Sequence, residues 1–318
     1  MTDSSRASEQ TLMSDPVNIL EVGPRDGLQN EAEIVSTADK LALIEAMIGY
    51  GARRLEVASF VHPERVPQMA DAEAVIAGLP DRADVQYIGL TLNKRGIMRA
   101  LATREGGAGN GKGRGVDQAG CVIVASDTFG RKNQGQTIAE GIAETRDMLR
   151  FSRAEGLSAQ VTVSAAFGCP FEGEVKPETV LAIAEELAAE DPAEIALADT
   201  IGVAVPAQVA DLFGRLAELL GGRIPMRCHF HDTRGTGIAN AWAAYQAGVR
   251  TFDASLGGLG GCPFAPRATG NIATEDLVYM MDRSGVPTNV DLDRAIAANR
   301  AFAKVLGREL PSRVARAA

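Results

Sequence analysis

Eight short apolar or alternating runs, each followed by a stretch with helical periodicity, constrain the fold of this chain more than any other feature. They are Val17–Glu21, Arg54–Phe60, Val85–Thr91, Cys121–Ser126, Gln160–Ala165, Glu194–Ala198, Pro225–His231 and Thr251–Ser255, recurring roughly every 25 to 40 residues. The segments between them begin as helices do. Ser36 with Asp39 three residues on makes a start resembling a capping box, and Leu41, Ile44 and Ile48 then share one stripe. Pro177 opens a helix whose apolar side is Val180, Ile183, Ala184 and Leu187. Pro206 opens another, with Val209, Leu212, Phe213 and Leu216. Eight strands alternating with eight helices predict an α/β fold of the closed (β/α)8 TIM-barrel type. An open doubly wound sheet is the alternative, but the chain carries no dinucleotide fingerprint in its support.

The length of 318 residues fits one such barrel with extra segments at its ends. Residues 1–16 are expected to form a flexible arm, since they are polar and carry Asp3, Glu9 and Asp15, unlike a signal or transit sequence. Residues 17–289 are the predicted catalytic barrel, and residues 290–318 an added helix and tail. That helix, 290–307, is amphipathic and is expected to cover an end of the barrel or to help bind a long ligand. A glycine-rich insertion at 104–120 lacks the GK[ST] ending of a phosphate loop. It falls between a helix and the following strand, hence on the barrel face away from the chemistry.

A net charge of −9 without a basic run interleaved with aromatics argues against nucleic acid and anionic membranes as partners. No apolar run is long enough to span a bilayer. Four cysteines without a close pair read as reduced thiols of a cytoplasmic enzyme. A small-molecule substrate and a homodimer or higher homo-oligomer are the expected partners.

Two of the three histidines stand in Arg227-Cys228-His229-Phe230-His231-Asp232-Thr233. On a strand, positions i and i+2 face the same way, so both imidazoles can share one metal ion while Cys228 and Phe230 pack on the other side. A pair of hydrogen-bonded core histidines is the other outcome. Barrel chemistry gathers at the C-terminal strand ends, and there the first strand runs into Gly23-Pro24-Arg25-Asp26-Gly27. Asp26 can add an oxygen ligand, giving a mixed N/O set suited to Mg2+ or Mn2+, and Arg25 beside it can stabilise an oxyanion. An Arg-Asp surface pair would be the structural alternative. Glu56, Ser126-Asp127 and Asp199-Thr200 make other strand ends polar. After the eighth strand, a loop dense in glycine carries Cys262, placed for a catalytic or gating role, and Asn271 can offer an amide oxygen as a further ligand.

EVGPRDGLQNE, LEVASF, SAAFGCPFEG, ADTIGV, HFHDT, GLGGCPF and ATGNIATEDLVYM, in this order, closely resemble the motifs of 3-hydroxy-3-methylglutaryl-CoA lyases over residues 17–308. The resemblance implies a barrel that binds a divalent cation and cleaves 3-hydroxy-3-methylglutaryl-CoA to acetyl-CoA and acetoacetate. It implies metal ligands Asp26, His229, His231 and Asn271, with Arg25 on the enolate oxygen. Glu56, Asp199, Cys262 and Glu275 match further functional positions of the family. Gln29, Ser59, Lys132, Ser164, Thr200 and Glu275 are expected, with Arg25, to bind the substrate. Asn133 and Asn299 lie in segments that could supply contacts to coenzyme A. The expected base is His231 or a metal-bound water, oriented by Asp199 or Glu56, and the expected acid is Cys262 or a histidine.

Two arginines depart from the family pattern: Arg234 stands where a Tyr is usual, and Arg267 where a small uncharged residue is expected. Either could change how a carboxylate or a CoA phosphate is held, so citramalyl-CoA or a longer 3-hydroxyacyl-CoA is an alternative substrate. Two other classes compete: a Claisen-type acyltransferase related to isopropylmalate synthase and a catalytically silent binding protein. The cysteine loop and the short C-terminal segment count against the first, and the full set of ligands against the second.

Overall fold

A computed structural model describes residues 16–104, 114–261 and 270–318. Eight parallel strands close on themselves in sequence order, β1 (Asn18–Glu21), β2 (Arg54–Ser59), β3 (Gln86–Thr91), β4 (Gln118–Val124), β5 (Ser158–Ser164), β6 (Ile195–Asp199), β7 (Met226–Phe230) and β8 (Thr251–Ala254), with β8 pairing back onto β1. The protein is therefore a (β/α)8 barrel, as the alternating pattern predicts. Seven strands lie within about two residues of their expected positions. β4 begins three residues before its expected start at Cys121, because Gln118, Ala119 and Gly120 are polar or small yet buried within the barrel wall.

Along the chain the helices are α1 (Thr37–Gly49), α2 (Ala72–Ala77), α3 (Lys94–Ala102), α4 (Asp127–Asn133), α5 (Ile138–Ala154), α6 (Pro177–Ala188), α7 (Pro206–Leu220), α8 (Gly237–Gln246), α9 (Thr274–Arg283), α10 (Leu292–Val305) and α11 (Arg313–Ala317). The expected faces of α6 and α7 are buried throughout, and each fully buried Val, Leu or Ile there contributes about 1.5–3 kcal/mol. In α1, Ser36 does cap the helix by accepting from the Asp39 amide at 3.1 Å. Its buried side is Leu43, Ile44, Met47 and Ile48, whereas Leu41 is only half-buried. The stripe is thus wider than, and rotated from, the one expected, because the helix packs through adjacent pairs one turn apart.

Three further features frame the site. The N-terminal end of the barrel interior is filled with polar groups: Arg54 donates to Gln86 at 2.8 Å and to both oxygens of Glu194 at 3.1 Å. The chain leaves α3 and enters β4 at that same end, away from the C-terminal strand ends; residues 105–113 of the glycine-rich insertion between them fall outside the described residues. Helix α10 packs against α1, α9 and the turn that follows β8, burying Ala295, Ile296, Asn299 and Phe302.

Candidate active site

Arg25 and Asp26 leave β1 in a single turn of π-helix, Gly23–Gly27, in which the Gly27 amide reaches back five residues to the Val22 carbonyl at 3.1 Å. Such turns recur at functional sites because they add one residue to the helical ladder and re-aim its side chains. Glu21 secures the turn. Wholly buried, it accepts from the Gly23 amide at 3.0 Å, Tyr50 Oη at 2.5 Å, the Leu256 amide at 2.9 Å and Thr274 Oγ1 at 2.7 Å. It thereby ties the end of β1 to α1 and to the segment after β8. Burial raises its carboxyl above the usual range, and its four donors oppose that rise. Sequence patterning gave Glu21 no role; a charged residue closing a buried strand was the available signal.

The histidine pair does what its spacing predicts. His229, on β7, and His231, one residue past its end, have ring centroids 5.1 Å apart, and their Nε2 atoms lie 4.0 and 3.9 Å from Asp26 Oδ2. Cys228 and Phe230 point the other way into the core, where Phe230 packs on Phe167 and Phe213. The ligating atoms of Asp26, His229 and His231 all fall within 4.8 Å of one another. Asn271 pairs with His231 in an isolated β-bridge, its Nδ2 donates to Asp26 Oδ2 at 2.9 Å, and its buried Oδ1 has no hydrogen-bond partner among the described residues. A buried amide oxygen without a donor is costly unless a ligand satisfies it.

Electrostatics keep Asp26 ionised and His231 neutral. Burial works against ionised Asp26, yet Arg25, His229, His231 and the Asn271 amide hold its carboxyl well below the usual range. Burial and the charge of His229 push His231 down to about 4, so it is neutral at pH 7 with a lone pair to offer. For His229, desolvation is outweighed by the Asp253 carboxylate 3.0 Å from Nδ1, which raises its pKa. Carboxylate, two imidazoles and an amide oxygen suit a divalent cation of the Mg2+ or Mn2+ kind better than a structural zinc site.

Arg25 spans two carboxylates. Its Nη1 lies 2.5 Å from Asp26 Oδ1, its Nε donates to Glu56 Oε2 at 2.7 Å, and its Nη2 pairs with the same Glu56 oxygen. Glu56 stands on β2 where the register to β3 slips between Glu56 and Ala58, a bulge of the kind that redirects side chains at barrel rims.

The other expected residues are distributed more widely. Asp199 ends β6 and accepts from the Val203 and Ala204 amides, both at 2.9 Å, so it shapes the turn into α7. Thr200 Oγ1 accepts from the Ala165 amide at 2.9 Å, joining the mouths of β5 and β6 where Ala165 is held at φ +56°. Ser164 is half-buried at the end of β5, Gln29 is half-buried just beyond the π-turn, and Ser59 Oγ is buried at the end of β2 without a partner among the described residues. Lys132, on α4, sits over the ring of Phe171 at 5.1 Å.

Several polar residues are occupied structurally instead of facing the cluster. Ser126 caps α4, and Asp127 accepts from the Ile138 amide at 2.7 Å to anchor the start of α5. Glu275, fully buried, accepts from the Gly257 amide at 2.9 Å and from Asn299 Nδ2 at 2.7 Å. Glu275 and Asn299 thus brace the turn after β8, both buried and hydrogen-bonded to each other. Burial also lifts the Glu275 carboxyl to about 7. Cys262 and Arg267 lie outside the described residues.

The (β/α)8 barrel carries a carboxylate–histidine cluster and an adjacent arginine at its C-terminal mouth, and its relatives place it among carbon–carbon lyases. The chain belongs to the HMGL-like family, whose sequence profile matches residues 16–301. It is 44% identical over 304 residues to an (R)-citramalyl-CoA lyase of Chloroflexus aurantiacus, covering 95% of this chain and 94% of that one. It is 40% identical over 300 residues to a hydroxymethylglutaryl-CoA lyase of Bacillus subtilis, covering 93% and 95%. Among solved structures, an HMG-CoA lyase of Acinetobacter baumannii in complex with coenzyme A and 3-methylmalate superposes with TM-score 0.88 at 38% identity, over 95% of each chain.

Proposed function

We propose that this lyase cleaves 3-hydroxy-3-methylglutaryl-CoA to acetyl-CoA and acetoacetate with the help of a bound Mg2+ or Mn2+. The observation that carries the reading is the convergence of Asp26, His229, His231 and the unsatisfied Asn271 Oδ1 beside Arg25. These four side chains would hold the cation, which when bound supplies Lewis acidity that makes the substrate's 3-hydroxyl easier to deprotonate.

Loss of the hydroxyl proton lets the C2–C3 bond break. The 3-oxygen becomes the ketone of acetoacetate, and the bonding pair passes to the thioester as the enolate of acetyl-CoA. Arg25 supplies a fixed, water-shielded positive charge for that enolate oxygen, while Glu56 holds the guanidinium in orientation. With the Nε2 lone pair of His231 given to the cation, its Nδ1 carries the hydrogen, so the hydroxyl proton passes to a water held in the mouth beside the cluster. C2 of the enolate then takes a proton, a role we assign to Cys262 from its place in the loop after β8. Asp199 and Thr200 serve by fixing the rim of the mouth.

One relative favours a second reading. The match at 44% identity is to a citramalyl-CoA lyase, and citramalyl-CoA has the same 3-hydroxy-3-methyl centre with its carboxylate one methylene closer. Arg234 belongs to the same question: its Nη1 donates to the Ile201 and Gly202 carbonyls at 3.1 and 2.8 Å, in the turn after Asp199. Offering both thioesters in parallel, with detection of acetyl-CoA and of the released acetoacetate or pyruvate, separates the readings. Preference for the first supports our proposal. Preference for citramalyl-CoA overturns the substrate but not the chemistry.

Gly260 gives the ligand set a mechanical test. It adopts φ +133°, and a Cβ there would come within 2.7 Å of Asn271 Nδ2. Gly260→Ala is expected to displace the amide and weaken Mn2+ binding by about tenfold, the low end for disturbing a metal site at one remove. Titration of the metal-free protein with Mn2+ checks this; unchanged affinity would remove Asn271 from the ligands.

A further inference from the structure

We infer that Asp253 and Arg227 are positioning residues that lock the His229 ring with its Nε2 aimed at the cation site, an inference that rests on the metal reading above. Strands β7 and β8 pair so that His229 stands directly opposite Asp253. Asp253 Oδ2 lies 3.0 Å from His229 Nδ1, while Nε2, on the far side of the ring, faces Asp26. A neutral imidazole that donates Nδ1–H to a carboxylate has its lone pair on Nε2, which is the form a cation needs. The carboxylate partner also makes that nitrogen a better donor of electrons.

Asp253 is itself held. Arg227 Nη1 donates to the same Oδ2, Arg227 Nη2 donates to Thr162 Oγ1 at 2.8 Å, and its Nε sits 3.1 Å from Glu194 Oε2. Glu194 in turn pairs with Arg54 at 3.1 Å. A buried chain of alternating charges thus runs from the opposite end of the barrel to the back of His229. Buried ion pairs are weak sources of stability because desolvation offsets their attraction, so fixing the orientation of Asp253 is the better account of this one. His231 provides the contrast: its Nδ1 is buried with no hydrogen-bond partner among the described residues. One ring is bolted down and the other is left to adjust.

With only three histidines in the chain and His62 exposed as an internal reference, 15N spectra of the histidine-labelled, metal-free protein at alkaline pH report each tautomer. The expected result is an Nδ1–H tautomer for His229; an Nε2–H tautomer would overturn the inference, whatever any variant does. In Asp253→Asn the oxygen stays in place for Arg227 and His229 but the charge is gone. Mn2+ affinity should fall about 10- to 100-fold, with kcat largely recovered at saturating Mn2+ because Asp253 acts only through the ligand. Unchanged affinity, or a loss of kcat that added Mn2+ does not relieve, contradicts the positioning role. Failure of the unaltered protein to bind Mn2+ at all would instead strike the metal reading itself. If the variant does not fold, the tautomer measurement decides alone.

Discussion

Replacing Arg25 with Met is expected to lower kcat by at least about 10³-fold, the upper range for loss of one preorganised donor to a developing oxyanion, while leaving Mn2+ bound. The two effects separate because Arg25 lies beside the ligand set without belonging to it. Its Nη1 occupies Asp26 Oδ1, and the cluster of ligating atoms forms without it. Removing the guanidinium leaves Asp26 with more charge to offer a cation, so affinity should hold or rise. The substitution also strands Glu56, a buried carboxylate whose side-chain donor is Arg25, and breaking a buried pair costs about 3–5 kcal/mol. Thermal unfolding with and without Mn2+ must therefore accompany the kinetics. Turnover within tenfold of the unaltered enzyme would remove Arg25 from the enolate.

His231→Ala is expected to have the opposite signature: loss of cation affinity by more than about 100-fold, beyond what even outer-shell changes produce, and loss of turnover along with it. The fold should tolerate this change, since the ring is held at pH 7 as a neutral group and its Nδ1 makes no hydrogen bond among the described residues. Equilibrium dialysis against Mn2+ gives the first quantity and steady-state rates across Mn2+ concentration the second. A variant that still binds Mn2+ tightly would mean that His231 is a core histidine near the cluster, the alternative that the sequence left open.

The barrel was legible because its strands are buried on both faces and its helices on one, which imposes two distinct periodicities on the chain. Where that signal weakens, so does the reading. β4 starts on Gln118-Ala119-Gly120, a polar and small-residue entry that looks like loop until Gln118 is seen among the polar groups filling the barrel end. The site divides along similar lines. His229 and His231 could be placed together because i and i+2 on a strand must share a face, and Asp26 because the end of β1 in a closed barrel opens on the same mouth. Asp253 could not be found this way: its partnership with His229 depends on the register between β7 and β8, which is long-range information. The fourth and sixth strand ends carry polar groups that also have a local structural use. Ser and Asp at a strand-to-helix turn serve equally well as caps, and Ser126, Asp127 and Asp199 are all engaged by backbone amides of the segments that follow.

Carbon–carbon cleavage should depend on a divalent cation held by Asp26, His229, His231 and Asn271. The direct test is to strip the protein with a chelator and follow acetyl-CoA release from 3-hydroxy-3-methylglutaryl-CoA and from citramalyl-CoA as Mn2+ is restored. The account predicts no turnover of either thioester in the stripped protein and saturable recovery with one substrate preferred, tracking Mn2+ binding measured independently. Full activity after chelation, with Mn2+ shown to be absent, would contradict it.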